Sequence, residues 1–197
     1  MGKKLVPAHQ NGLHITIDNM PELQAALKAL ARDEVLVGIP EDKTERPPDG
    51  EGKPDPATNA ALAYIHDNGA PEANIPARPF MIPGIEKVQD KNVAVLVAMA
   101  QYALQGAPAT KIREGFERIG LQTQLSIQRT IQDGIPPPLA DRTLKARAKK
   151  GRKGAKEELE RRGQGYAAGI DLARPLIDTG EMLKKISYVV RRRKKET

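Results

Sequence analysis

The chain has no cysteine and no tryptophan, and its 197 residues include two phenylalanines and four tyrosines. Without cysteine there can be no disulfide, no thiolate metal ligand and no cysteine nucleophile. Three histidines, His9, His14 and His66, are too few for a dense imidazole metal centre. The longest apolar run, 93–100, falls far short of the ~20 residues a membrane helix needs, so no membrane partner is expected. The opening MGKKLVPAHQ is basic but has no apolar core of a signal peptide. These absences point to a soluble, basic, intracellularly made protein with a lean core and no cofactor. A chain of this length still buries roughly 70% of its unfolded surface.

What the sequence has in excess is positive charge, and it is concentrated. The formal net charge is +7, yet 142–164 alone carries +7 and 184–197 carries +6, which leaves the remainder at −6. A mildly acidic body with two basic segments suits a polyanion or an acidic patch on a protein partner. No aromatics interleave with the basic residues, as stacking on single-stranded bases would require. A solvated loop and tail accounts for the same composition equally well.

Periodicity outlines the organisation. Residues 1–12 read as a polar N-terminal arm. Leu13, Ile15 and Ile17 alternate as in a half-buried strand. Asn19 and Pro21 open a helix whose apolar stripe is Leu23, Ala26, Leu27 and Leu30. Val35, Val37 and Ile39 make a second strand, and 41–56, with four prolines, is a long loop. A short helix over 60–67, capped by Thr58 or Asn59, stops at Asn68-Gly69. The stretch 70–83 holds Pro71, Pro76, Pro79 and Pro83 and reads as a stiff, extended strut.

Two long helices follow. In 85–104 the periodicity is helical, although VAVLV within it reads equally as a strand. In 111–132, Ile112, Phe116, Ile119, Thr123, Ile127 and Ile131 recur at helical spacing. Leu121 and Leu125 fall on the opposite face of that helix, a candidate subunit interface. Asp133-Gly134 and three prolines then end it. A marginal helix over 156–162, a short helix over 181–183 and a last strand containing Ile186, Tyr188 and Val190 complete the pattern. The expectation is an α+β fold, a small, mostly antiparallel sheet packed on two long helices. One domain would comprise 13–141 and 171–191, with 142–170 as a basic flexible insertion and 192–197 as a basic C-terminal tail.

No arrangement demands catalysis. Phosphate-cradling and dinucleotide-binding glycine motifs and the H-E-x-x-H zinc motif are all missing. Gly163, Gly165 and Gly169 follow a charged stretch rather than a strand and read as a hinge. His66-Asp67 offers an acid/base pair, but at a helix end His66 reads better as a cap or packing residue. Asp178-Thr179-Gly180 reads as a turn into a short helix rather than a nucleophile.

Three segments, in order, carry a resemblance. The first is Ala63-Tyr64-Ile65-His66-Asp67-Asn68-Gly69, and the second is Ile75-Pro76-Ala77-Arg78-Pro79-Phe80-Met81. The third is Pro175-Leu176-Ile177-Asp178-Thr179-Gly180-Glu181-Met182-Leu183, with Ile186-Ser187-Tyr188 after it. They resemble the minor tail and tail-completion (neck) proteins of long-tailed bacteriophages. In that family a helix end "A-x-I-H-E-x-G" precedes "I-P-x-R-P-F", and "P-L-x-D-T-G-x-L" precedes a final strand. The match runs from about Ala60 to Val190; Asp67 stands where the family has Glu, and the segment before Pro175 is longer and more basic than usual.

The resemblance implies a non-catalytic structural virion protein at the head–tail junction. It would assemble in the cytoplasm of a bacterial host as a homo-oligomeric ring, with six copies expected, between head-connector and tail-tube or terminator proteins. It does not separate tail completion from tail termination or head closure. His66, Pro76, Arg78, Pro79, Phe80, Pro175, Asp178, Thr179 and Gly180 are the motif residues and the candidate interface. The cluster Arg191, Arg192, Arg193, Lys194 and Lys195 is the candidate for diffuse contact with passing DNA in the ring's lumen or for docking onto a neighbour. A basic nucleic-acid-binding protein is the alternative reading.

Overall fold

The computed structural model describes residues 20–40 and 57–193. The expected arm, the strand at Leu13–Ile17, the cap at Asn19, the loop 41–56, and Lys194 and Lys195 lie outside the described residues. The fold is α+β: eight α-helices and a two-stranded antiparallel sheet among the described residues. In chain order these are α1 (Met20–Ala31), β1 (Asp33–Gly38), α2 (Asn59–Asn68), α3 (Met81–Glu86), α4 (Gln89–Leu104) and α5 (Ala109–Gln132). Then come α6 (Asp141–Lys149), α7 (Lys153–Gly163), α8 (Glu181–Lys185) and β2 (Ser187–Arg192). No described helix is long and apolar enough to cross a membrane.

The chain forms two compact units, whose boundaries differ from the expected body and insertion. One comprises the described parts of Met1–Val35, Lys91–Ile119 and Val190–Thr197; the other comprises those of Leu36–Asp90 and Gly120–Val189. In the first, Met99, Ala103, Ile112, Phe116 and Val190 are buried. Of the apolar stripe read from the sequence on α1, Leu23 and Leu27 are exposed and Leu30 is half-buried. The VAVLV stretch is helical and leaves Val93, Leu96 and Val97 about half exposed. The basic cluster is partly neutralised here, since Glu34 accepts from Arg191 Nε at 2.8 Å and faces Arg193 Nε at 3.8 Å. Arg192 ends β2 and is exposed, so the basic tail begins one residue later than expected.

The second unit holds the larger core. Phe80, Ile127, Ile131, Ile135, Met182 and Ile186 are buried together, with Val37, Ile39, Leu62 and Ala63 against them. Ile127 and Ile131 are fully buried, as the stripe on α5 requires, while Leu121 and Leu125 on its other face are about half exposed. Gly84 permits the close approach of α3 to α5: a Cβ there would stand 2.7 Å from the Ile127 Cα. The helix expected over 85–104 is interrupted at Lys87 and Val88, and the strut gives way to α3 at Met81. Pro83 is tolerated in α3 because the first-turn N–H groups of a helix have no intrahelical acceptor.

The segment 142–170 corrects the expectation of a basic flexible loop. It folds into α6 and α7, packed on each other around Leu139, Leu144, Ala155 and Ala173. The centre of this hairpin is a charge. Glu158 is completely buried, its Oε2 accepting from Arg161 Nε and Nη2 at 3.1 and 2.8 Å. Its Oε1 accepts from Arg162 Nε at 2.9 Å and from the Gly169 N–H at 2.7 Å. Arg162 also donates to Asp141 at 2.7 Å and to the Leu139 carbonyl at 2.9 Å, closing the hairpin onto its own start. Bonds of this kind between a carboxylate and guanidinium groups are stronger than neutral ones.

Candidate functional site

The three segments that carry the resemblance meet in the second unit. Thr58 caps α2 by accepting from the Ala61 N–H at 3.1 Å. Gly69 ends α2 at φ +82°, with its N–H on the Ile65 carbonyl at 2.7 Å. Only glycine suits this place, because a Cβ would stand 2.7 Å from the Ala77 nitrogen and the φ is left-handed. The chain then reverses through a tight turn in which Ala70 and Ile75 exchange both backbone bonds, at 2.8 and 3.0 Å. It returns across the end of α2, where the Arg78 N–H donates to the His66 carbonyl at 2.8 Å.

Asp67 is committed to this joint. Its Oδ1 accepts from the N–H groups of Phe80 and Met81 at 2.7 and 3.0 Å, satisfying two donors at the start of α3. It serves there as a cap, so it is not the partner of an acid/base pair with His66. Phe80 follows directly into the core, fully buried, while Pro76 and Pro79 are exposed on the strut. The third segment is held from α6 and α7. Arg147 Nη1 donates to the Arg174 and Ile177 carbonyls at 2.9 and 2.7 Å, and Arg152 Nε pairs with Asp178 at 2.9 Å. Pro175 is buried, Thr179 Oγ1 accepts from the Glu181 N–H at 3.3 Å, and Gly180 at φ +78° opens α8.

Between these segments lies a cavity of about 410 Å³. Six of the nine motif residues line it: His66, Pro76, Arg78, Asp178, Thr179 and Gly180. Pro79, Phe80 and Pro175 do not. Arg142 and Arg147 of α6 complete the wall, alongside Leu62, Leu139, Leu176 and Met182. The two arginines were hidden within a segment whose composition reads as solvated loop.

The arginines of this wall outnumber its two carboxylates, Asp178 and Glu181. Arg78 is 5% exposed, and its Nε and Nη2 donate to the Pro137 carbonyl at 3.2 and 2.9 Å. No carboxylate lies within ion-pair distance of it among the described residues. Burial, and then the charge of Arg147, lower the Arg78 pKa below the usual guanidinium value. Burial likewise lowers that of Arg147; Asp178 opposes this and Arg152 adds to it. For His66, burial first and then Arg78 and Arg147 hold the pKa below 6.5, which makes it a neutral imidazole at neutral pH. Its Nδ1 is buried and has no hydrogen-bond partner.

Comparison with protein-family models, with curated proteins and with solved structures finds no match to this chain.

Proposed function

We propose that the chain is a structural virion protein of the neck of a long-tailed bacteriophage, acting in tail completion or head–tail joining as an oligomeric ring around the DNA passage. The observation that carries this reading is the convergence of the three motif segments on one joint. Asp67 caps α3, Arg78 ties the strut to the connection after α5, Phe80 fills the core, and Gly180 opens α8. Residues spent on capping, tying and packing suit a part whose task is to hold a shape. The exposed Leu121 and Leu125, opposite a fully buried stripe on the same helix, supply a surface for a second subunit, and a closed ring needs such a heterologous surface.

The neighbours would be a head connector on one side and tail-tube or terminator proteins on the other, with genomic DNA passing through the lumen. The alternative, a sequence-independent nucleic-acid binder, is weakened by how the arginines are used. Arg147, Arg152, Arg161, Arg162 and Arg191 are tied to carbonyls or carboxylates of the same chain. The test is negative-stain imaging of particles labelled at the C-terminus of this chain, together with the salt dependence of DNA binding by the free protein. Label at the head–tail junction and weak DNA affinity are expected. Absence of the chain from particles, with DNA affinity falling by orders of magnitude from low to moderate salt, refutes the proposal.

A further inference from the structure

We propose that the cavity bounded by the end of α2, the strut around Arg78 and the turn at Asp178–Gly180 binds a monoanionic carboxylate that carries an apolar body. The inference stands on the cavity and does not depend on the neck assignment. Three observations carry it. First, Arg78 is nine-tenths buried, lines the cavity and has no carboxylate partner among the described residues, so three of its five N–H donors remain beyond the two given to Pro137. A buried guanidinium in that position is stabilised by an anion arriving from outside the chain.

Second, the charge balance sets the ligand's charge. Arg78, Arg142 and Arg147 line the cavity against Asp178 and Glu181, and Asp178 is already paired at 2.9 Å with Arg152, which is not among the lining residues, so positive charge is in excess. An anion matches that excess, and a carboxylate meets less repulsion from Glu181 than a phosphate dianion would. Third, His66, Leu62, Leu139 and Met182 line the same cavity, and the last three offer apolar wall beside the arginines. A volume of about 410 Å³ fits a body about the size of a dipeptide. An acidic side chain on a segment of another protein and a free small carboxylate share this chemistry.

The experiment titrates the full-length protein by calorimetry with four probes: acetyl-leucyl-glutamate amide, its glutamine counterpart, hexanoate and inorganic phosphate. The glutamate peptide should bind at least tenfold more tightly than the glutamine peptide. Arg142→Gln should weaken it about tenfold with an unchanged melting temperature, because Arg142 is exposed and has no ion-pair partner among the described residues. The His66 imidazole, followed by NMR, should titrate at higher pH when the site is filled, since a nearby anion favours the imidazolium. Hexanoate binding as tightly as the peptide identifies a free carboxylate as the ligand; peptide binding more tightly identifies a protein segment. Equal affinity for the two peptides, phosphate binding best, or an Arg142→Gln affinity equal to wild type would overturn the proposal.

Discussion

Replacing Glu158 with alanine should open the α6–α7 hairpin while sparing the core around Phe80. The carboxylate is fully buried and takes bonds from Arg161, Arg162 and the Gly169 N–H. Without it, the largely buried Arg162 side chain, 15% exposed, keeps Asp141 but loses its inner partner, and the Gly169 N–H is left without an acceptor. Breaking a buried pair by removing one side costs about 3–5 kcal/mol. The lower end applies here, because Arg161 is 35% exposed and can turn to water. About 3 kcal/mol corresponds to opening on the order of 100-fold more often, read as faster amide exchange throughout α7. The amides of Ile127 and Ile131 in α5 should keep their wild-type protection.

Acid should act on the same group. Burial pushes the Glu158 pKa up, but the Gly169 N–H, Arg162 and Arg161 together outweigh it and hold the pKa below 4.5. A carboxylate whose folded pKa is depressed contributes its full stability above the unfolded value and loses it as pH falls through the folded one. The hairpin of the wild-type protein should therefore weaken below about pH 4.5, and that response should vanish in Glu158→Gln, which has no proton to gain. Wild-type exchange in α7 of the alanine variant, or an unchanged acid response in the glutamine variant, would show that the hairpin is held by something else.

Phe80→Ala should cost about 3–5 kcal/mol in chemical denaturation, as expected for a fully buried phenylalanine. Asp67→Ala should cost about 1–2 kcal/mol by the same measurement, with Asp67→Glu recovering part of it, since two N–H groups at the start of α3 lose their acceptor. Leu121→Glu with Leu125→Glu should leave the circular dichroism and melting temperature of the subunit near wild type but abolish higher oligomers in sedimentation; an unfolded double variant would place these leucines in the subunit's own core.

Where burial follows periodicity, the sequence is a good guide. The isoleucine stripe of α5, the Thr58 and Gly69 ends of α2 and the burial of Ile186 and Val190 rest on local signals that the structure carries through, whereas β1 buries Asp33 and leaves Val35 and Val37 only half-buried. The hairpin was illegible for a physical reason. Its centre is an ionised Glu158, and a charged residue reads as solvent-facing unless its partners are known; those partners are fixed by tertiary packing. The early start of α3 at Met81 has a similar origin, because the acceptor that starts it is Asp67, thirteen and fourteen residues upstream of the donors it serves. The motif residues were legible one by one, but not the cavity, whose remaining arginines lie on helix α6.

The two-stranded sheet joins parts of the chain that are synthesised far apart: Glu34 on β1 pairs with Arg191 on β2 across 157 residues of sequence. Closing so long a loop carries a large entropy cost, though one that grows only logarithmically with length. On the ribosome, β1 emerges early and waits with an open edge until nearly all of the described chain has followed. A chain that terminates before Ser187 can form the helices but not the sheet, and it presents the unpaired edge of β1 to other chains and to proteases. The pairing therefore makes the sheet a late element of the described chain, one that can close only after β2 has been synthesised.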